Sequence, residues 1–476
     1  LLLGWVFVPF YSRSMVITMP EFLERRYNPA SRTILSVISL ISYVLTKVAV
    51  TVYAGGLVFQ QVFGIDELWG IDFFWIAAIG LVVLTALYTI FGGMKSVLYT
   101  SVLQTPILLL GSLIILVLGL KELGGWDKMM EICSAVKVNE YGDTMTNLIR
   151  DNRDAQYPWL GALIGSAVIG FWYWCTDQFI VQRVLSGKNE KEARRGTIFG
   201  AYLKLLPVFL FLIPGMIAFA LHQQSGSFLP LTEAGLPNSD AAFPTLVAKL
   251  LPAGVKGLIV CGILAALMSS LASLFNSSAA LFTIDFYQRF RPNTEAKKLV
   301  RIGQAATVVI VILGILWIPV MRSVGDVLYL YLQDVQSVLA PGIAAAFLMG
   351  VCWKRATAQG GMWGLLAGLI IGLTRLGAKI IYTGTDLTTN ESFFRYLFFD
   401  TNWLFFCGWM LVFCLLVVVV VSLFTPAPDP KKIQGLVFGT STPEQREVTR
   451  QSWNHWDIIH TVIILGITAA FYYYFW

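Results

Sequence analysis

Polar side chains interrupt an apolar stretch that is long enough to cross a membrane. Residues 159–171 are apolar, and they are followed by Tyr173 and Trp174 and then by Asp177 and Gln178. A carboxylate and an amide at bilayer depth are costly unless a partner, a water-filled cavity or a ligand meets them. Two interpretations stand: a membrane helix that is broken at a binding site, or a carboxylate that caps the helix at its cytoplasmic end.

Small hydroxyl side chains recur along another apolar segment. Ser269 and Ser273 are one helical turn apart, Asn276 continues the same stripe, and Ser270 begins an adjoining line. Such residues allow membrane helices to pack closely, and composition alone favours that interpretation. Hydroxyls together with a freed backbone carbonyl also suit Na⁺, because hard cations prefer oxygen ligands.

Three further polar residues lie deep within apolar segments. Lys204 follows Arg194 by ten residues, about 15 Å along a helix, which is deep for a side chain that snorkels, so we favour a functional role. Lys47 is similarly deep, and for it we favour a structural ion pair. The Gln333 amide donates and accepts hydrogen bonds, which suits sugar hydroxyls, and the ring of Tyr173 suits a sugar face. The alternative for Gln333 is a hydrogen bond between helices.

The composition is that of an all-α polytopic membrane protein. Of the 476 residues 57% are hydrophobic and only 13% are charged, whereas soluble domains are about 25% charged. We predict one transmembrane domain over residues 1–476, with about eleven complete spans of ~20 or more residues. The predicted spans are 33–63, 72–92, 96–120, 158–182, 195–221, 243–286, 299–320, 327–352, 361–382, 402–424 and 456–476.

Lys and Arg cluster in alternate loops, which the positive-inside rule assigns to the cytoplasm. The net charge of +6 therefore needs no nucleic acid as a partner. An unbroken count of spans places Trp476 at the outer face. The chain begins in an apolar segment without Met, so we expect it to lack its natural N-terminus and to start in the tail of one more span.

Five segments occur in a fixed order and spacing: YTIFGGMKS (88–96), WYWCTDQFIVQRVLSGKN (172–189), GAYLKLLP (200–207), ALMSSLASLFNSSAALFTIDFY (266–287) and AAAFLMGVCWKR (344–355). They resemble the solute:sodium symporter family, and within it the sodium/glucose or sodium/galactose cotransporters. The resemblance covers nearly the whole chain. It implies a LeuT-type fold of two inverted five-helix repeats plus extra C-terminal helices, in which the first helix of each repeat is broken. The first broken helix and most of the next would precede Leu1, so this chain would hold part of each binding site.

The resemblance also implies a sugar site. Tyr173 resembles the inner-gate tyrosine that covers the sugar, and Trp174 resembles its neighbour in the sugar pocket. Lys204 and Gln333 resemble residues that hydrogen-bond the sugar. Gly170 replaces a polar sugar contact of some relatives, which leaves the identity of the hexose open.

The same resemblance implies a sodium site on the helix that carries the serines. Its ligands would be the carbonyl of Ala266 and the hydroxyls of Ser269 and Ser270. Ser101 stands where many relatives have an acid linked to cation coupling, and Ala272 where some have a hydroxyl. Both differences weaken a second sodium site, so we expect one Na⁺ per solute.

The sequence thus predicts sodium-coupled symport of a glucose- or galactose-type hexose by alternating access. The setting is a lipid bilayer of the plasma or inner membrane, and the oligomeric state is left open. The alternative is a symporter of the same fold for myo-inositol, proline or a carboxylate. A carboxylate remains an alternative because Lys204 could supply the cation that it needs. A membrane enzyme is disfavoured because neither the six cysteines nor the three histidines show metal-ligand spacing, and no nucleophile motif occurs. A sensor that binds solute without moving it is a further rival.

Overall fold

The computed structural model describes residues 1–232, 235–324, 327–382 and 392–475, without the side chains of residues 88, 90–98, 100, 103 and 322–324. Most of this part of the chain is helical, as the all-α prediction requires. Two short strands, Glu67–Leu68 and Ile71–Asp72, pair in antiparallel fashion. Trp69 and Gly70 between them both have positive φ, which a tight two-residue hairpin turn requires.

Most helices follow one another with short connections, and the connection between Ala135 and Trp159 is the longest within the described ranges. In the first half they are Leu3–Phe7, Val8–Ser14, Met19–Arg26, Pro29–Ser42, Tyr43–Val48, Ala49–Phe63, Phe73–Leu123, Trp126–Ala135, Trp159–Phe171, Trp172–Thr176, Gln178–Leu185, Glu190–Pro207, Val208–Leu212 and Ile213–Ser225. In the second half they are Ser239–Ala241, Ala242–Leu250, Ala253–Ala280, Leu281–Tyr287, Gln288–Phe290, Ala296–Val324, Leu328–Cys352, Ala358–Tyr382, Phe393–Arg395, Tyr396–Asp400, Trp403–Leu423, Pro430–Ile433, Pro443–Gln451 and His455–Tyr474.

Ten helical stretches within the described ranges are long and apolar enough to cross a membrane, since a span needs ~20 residues. A shorter apolar helix, Phe73–Leu87, corresponds to the predicted span 72–92. The ten stretches are Pro29–Phe63, Gln104–Leu123, Trp159–Thr176, Glu190–Ser225, Ala253–Phe290, Ala296–Met321, Leu328–Cys352, Ala358–Tyr382, Trp403–Leu423 and His455–Tyr474.

The long helical segment Phe73–Leu123 contains two of the predicted spans. A straight helix of its 51 residues would be about 76 Å long. The side chains of Leu81 and Leu267 nevertheless lie against the same glycine, and the hydroxyls of Ser101 and Ser269 are 2.6 Å apart. Leu81 and Ser101 are therefore closer together than the ~30 Å that twenty residues of straight helix would span, so the segment is not straight between them.

Glycines allow the helix that carries Gln333 to approach its neighbour closely. This helix, Leu328–Cys352, packs against Ala358–Tyr382. A Cβ atom at Gly368 would lie only 2.6 Å from the Cα of Gly342. A Cβ atom at Gly372 would overlap the carbonyl oxygen of Val338, which also lies in the helix Leu328–Cys352. Small residues at such crossings are the common means of close packing in membranes. The packing fixes the position of the helix, which we call the glutamine helix.

A polar loop leads into the span that begins at Trp159. The carboxylate of Asp154 accepts hydrogen bonds from the backbone N–H groups of Gln156 and Tyr157, at 2.9 and 2.7 Å, and from Asn139 Nδ2 at 2.8 Å. Burial raises the pKa of Asp154, but these hydrogen bonds outweigh that effect and hold the pKa below its usual value. The ionised carboxylate therefore organises the start of this span.

The connection before the last span docks against the start of the helix Glu190–Pro207, which we call the lysine helix because it carries Lys204. Glu190 and Arg194 form a buried ion pair at 3.0 Å, and Ser452 donates a hydrogen bond to Glu190 at 3.0 Å. From the other side, Arg13 donates to Thr449 Oγ1 at 2.6 Å. The N-terminal segment, the lysine helix and the last connection are thus joined at one place.

Candidate functional site

The apolar stretch that opened the sequence analysis is a broken helix, residues 159–185. The helix Trp159–Phe171 passes into the π-helical turn Trp172–Thr176, and a new helix, Gln178–Leu185, follows. Between them Asp177 is extended, with φ −78° and ψ 124°, and its Oδ1 accepts a hydrogen bond from Phe179 N at 3.1 Å. The span is thus broken, as the first interpretation from the sequence has it, and the carboxylate caps the start of the helix that follows the break.

Lys47 neutralises the carboxylate at the break. Its ammonium forms an ion pair with Asp177 Oδ2, and the two side chains are 10% and 3% exposed. Tyr43 donates a hydrogen bond to Asp177 Oδ1 at 3.2 Å. The ammonium also lies 4.2 Å from the ring centroid of Phe179 and 5.4 Å from that of Tyr173, within the range of cation–π attraction. The structural ion pair predicted for Lys47 is confirmed.

Residues near the N-terminus satisfy other polar groups at the break. The hydroxyl of Tyr11 donates to the carbonyl oxygen of Cys175 at 2.5 Å. The amide of Gln178 accepts from Met19 N at 2.8 Å and donates to the carbonyl oxygen of Ile17 at 3.2 Å. A broken membrane helix needs such partners because its freed backbone groups have no water in the bilayer core. Sequence reasoning did not find these contacts.

A cavity of about 430 Å³ lies beside the break, within the size range of small-molecule sites. Tyr173, Trp174, Lys204, Gln333 and Ser270 all line it. They come from four separate helices: the broken helix, the lysine helix, the glutamine helix and the helix that carries the serines. The four predicted sugar contacts and one predicted sodium ligand therefore surround one space, although their individual roles stay predictions.

Five further polar residues line the cavity, and sequence reasoning missed four of them as site residues: Thr46, Thr51, Ser166 and Gln336. The fifth is Tyr329, for which the sequence favoured an ordinary interface aromatic over a gate residue. Thr51 follows Lys47 by one helical turn, so helical periodicity around a deep lysine could have found it. Periodicity around Gln333 could in the same way have found its neighbours on the glutamine helix.

The fixed charge of the cavity is positive. The charged residues among its described lining are Lys47, which Asp177 neutralises, and Lys204. The Lys204 ammonium lies 5.4 Å from the ring centroid of Trp174, and no salt bridge joins it to a carboxylate within the described ranges. Lys204 is thus a donor that faces the cavity and can serve a hydroxyl or an anion.

The three residues predicted to bind Na⁺ have different surroundings. Ser270 is exposed to the cavity, and Ala266, half-buried one turn earlier, is not part of the lining. Ser269 is buried, and its hydroxyl lies 2.6 Å from that of Ser101. Ser101 therefore contacts a predicted sodium ligand directly. The sodium assignment of all three residues stays a prediction.

A second and more apolar cavity of about 630 Å³ adjoins the first. Gly170, Trp174 and Lys204 belong to both linings. An added Cβ at Gly170 would meet no atom within 4 Å, so this glycine widens the space between the two cavities. Across the described part of the chain, no group of three or more His, Cys, Asp or Glu is placed to hold a metal ion.

A bundle of apolar helices of membrane-spanning length, with a polar-lined cavity beside a broken span, is typical of membrane transporters of small solutes. The model of the Sodium:solute symporter family matches residues 1–368. The chain therefore belongs to the sodium:solute symporter family, and it is a sodium-coupled solute symporter and a multi-pass membrane protein. Since this family transports solutes, the prediction that the chain is not an enzyme is confirmed.

Known relatives agree with this membership. The chain is 36% identical over 502 residues to the sodium/mannose cotransporter SLC5A10 of Bos taurus, across 100% of this chain and 83% of that protein. It is 37% identical to sodium/glucose cotransporter 4 of Danio rerio over 90% of this chain and 67% of the relative. It is 35% identical to sodium/myo-inositol cotransporter 2 of Homo sapiens over 92% of this chain and 66% of the relative.

A solved structure shows the same fold. It is a Na⁺-coupled sialic acid symporter in a substrate-bound outward-open state, with a TM-score of 0.69 and 23% identity, over 90% of this chain and 81% of that chain. The predicted LeuT-type fold is thereby confirmed. The family and its relatives also confirm sodium as the coupling ion.

Proposed function

We propose that this symporter carries a hexose of the glucose or galactose type and binds it in the 430 Å³ cavity. The observation that carries the proposal is the set of groups that line this cavity: an ammonium, an amide and aromatic rings, with no carboxylate among the described lining residues. Sugar hydroxyls donate and accept hydrogen bonds, which the amide of Gln333 and the ammonium of Lys204 can match. Several relatives are named for sugars.

The proposed mechanism couples the solute to one Na⁺. The ion binds at the Ala266 carbonyl and the Ser269 and Ser270 hydroxyls, and it favours the outward-facing state. Ser270 also lines the sugar cavity, so ion and solute bind beside the same helix. Coupling requires that each ligand bind one state more tightly than the other. The membrane potential adds about 2.3 kcal/mol per charge per 100 mV.

Tyr173 covers the sugar from the inner side. When Na⁺ leaves for the cytoplasm, the sugar is released past Tyr173. Its position next to the break makes this role physically reasonable, because movement of a broken span alters access without unfolding a continuous helix. The proposed site of action is the plasma or inner membrane, with the C-terminus at the outer face.

A second candidate is a symporter for another solute. The ammonium of Lys204, which no described carboxylate neutralises, would also suit a carboxylate. One relative is named for myo-inositol, a ring of hydroxyls that the same lining groups could bind. Proline is a third alternative from the sequence.

Uptake into proteoliposomes tests the proposal. With an inward sodium gradient, the full-length protein should accumulate labelled glucose or galactose, and an equal potassium gradient should not support uptake. Gln333→Ala should lower kcat/KM roughly tenfold, because it removes a hydrogen-bonding group from the cavity. Gln451→Ala is the matched control, because this amide is exposed and is not among the residues that line the cavity. Stronger competition by proline or a carboxylate than by any hexose would reject the sugar assignment.

A further inference from the structure

Two distant segments of the chain hold the first turn of the glutamine helix. The carboxylate of Asp240, in the short helix Ser239–Ala241, accepts hydrogen bonds from Leu328 N at 3.2 and 3.1 Å. The hydroxyl of Tyr331 donates to the carbonyl oxygen of Leu45 at 3.0 Å and accepts from Trp317 Nε1 at 2.6 Å. These contacts restrain the rotation of the helix about its own axis, because a side chain and the backbone are both held.

Ion pairs fix the next turn. Asp334, the neighbour of Gln333, pairs with Lys379 at 2.6 Å and with the fully buried Arg375 at 3.4 Å. The backbone beneath Gln333 is therefore anchored before and after it. The Gln333 side chain itself keeps its torsional freedom, and its terminal torsion is especially broad in glutamine and permits the amide to swing or turn over.

Tyr329 restrains that torsion. Gln333 Nε2 donates a hydrogen bond to the hydroxyl of Tyr329 at 3.0 Å, one turn earlier on the same helix. Both side chains line the 430 Å³ cavity. With this bond made, the amide oxygen, the second amide N–H and the phenolic hydrogen remain for a ligand. The pair therefore offers one acceptor and two donors at nearly fixed positions.

We propose that Tyr329 is a positioning residue for solute selection, because it holds the Gln333 amide so that one hydroxyl of the sugar is recognised at a fixed place. The inference rests on the proposed function of the cavity. An epimer moves that hydroxyl, and a held amide cannot follow it. A free amide swings after the displaced hydroxyl and recovers part of the binding, so the discrimination between isomers falls.

The test is a double-mutant cycle on substrate preference. In the full-length protein, sodium-driven uptake is measured for glucose, its epimers and its single-deoxy analogues. Tyr329→Phe should lower the preference for the best hexose over the discriminated isomer by roughly three- to tenfold, the worth of about one hydrogen bond. The same substitution in a Gln333→Ala background should change the preference no further. The sodium concentration for half-maximal uptake should be unchanged in every variant.

Two further variants separate positioning from a structural role. Tyr396→Phe removes the hydroxyl of another exposed tyrosine and should leave the preference unchanged. Tyr329→Gln restores a hydrogen-bonding group beside the amide and should recover part of the preference. The half-exposed position of Tyr329 and the retained ring should allow the Phe variant to fold.

An unchanged preference in a folded Tyr329→Phe protein overturns the inference and leaves the proposed function intact. An equal loss with Gln333 present or absent also overturns it, because Tyr329 would then act independently of the amide. If the wild-type protein takes up no hexose at all, the proposed function fails, and the inference fails with it.

Discussion

Replacement of Lys47 by Met should destabilise the protein by about 3 kcal/mol. The Lys47 and Asp177 side chains are 10% and 3% exposed, and loss of one partner of a buried pair costs about 3–5 kcal/mol. We expect the lower end of this range, because Asp177 keeps its hydrogen bonds from Tyr43 and from the backbone of Phe179. Met retains most of the lysine stem, so the loss is mainly that of the charge.

The free energy of unfolding in detergent, followed by tryptophan fluorescence during denaturant titration, measures this effect. Lys47→Met combined with Asp177→Asn should be less destabilising than the sum of the single changes, because neither charge is then left unpaired. Lys128→Met is the matched control: its ion pair with Glu131 is exposed at both ends, and such pairs contribute only ~0–1 kcal/mol. Equal stability of wild type and Lys47→Met, or strictly additive effects, would refute the account of the break.

Three other predictions concern packing, the polar loop and sodium. Gly372→Ala should destabilise the protein by about 1–3 kcal/mol in the same unfolding assay, because the new Cβ overlaps the backbone of Val338. Gly377→Ala, on the same helix, is the control and should be neutral, because its Cβ would meet no atom within 4 Å. The pKa of Asp154 is lowered on folding, so its contribution is present above the unfolded pKa of about 3.9 and disappears as pH falls through the folded pKa. The protection factors of the loop amides, which compare each exchange rate with the intrinsic rate at the same pH, should therefore fall below about pH 4 in wild type. Asp154→Asn should remove this pH dependence of the protection factors and lower them at pH 7. Ser270→Ala should raise the sodium concentration for half-maximal uptake, and unchanged sodium dependence would reject its assignment.

The sequence could identify the polar residues of the cavity because such residues are rare at membrane depth. Lys204, Gln333 and Tyr173 stood out against apolar surroundings, and the cavity brings them together. For Lys47 the sequence predicted an ion pair but not its partner, since Asp177 lies 130 residues away. Long-range pairing depends on how helices pack, which periodicity within one helix does not contain.

The serines show that even neighbouring residues can have surroundings that the sequence does not predict. Ser269 and Ser270 are adjacent in the sequence, but neighbouring residues on a helix point about 100° apart. One therefore contacts Ser101 and the other faces the cavity. The contact of Tyr11 with the break was also beyond sequence reasoning, because its partner is a backbone carbonyl, and every residue in the chain carries one.

Equilibrium binding of labelled hexose to the purified full-length protein, in sodium and in potassium, tests the central claim most directly. The account predicts saturable binding that requires Na⁺ and weakens roughly tenfold in Gln333→Ala, with no change in Gln451→Ala. Binding that is equally tight without sodium, or that the Gln333 variant leaves unchanged, would contradict the account.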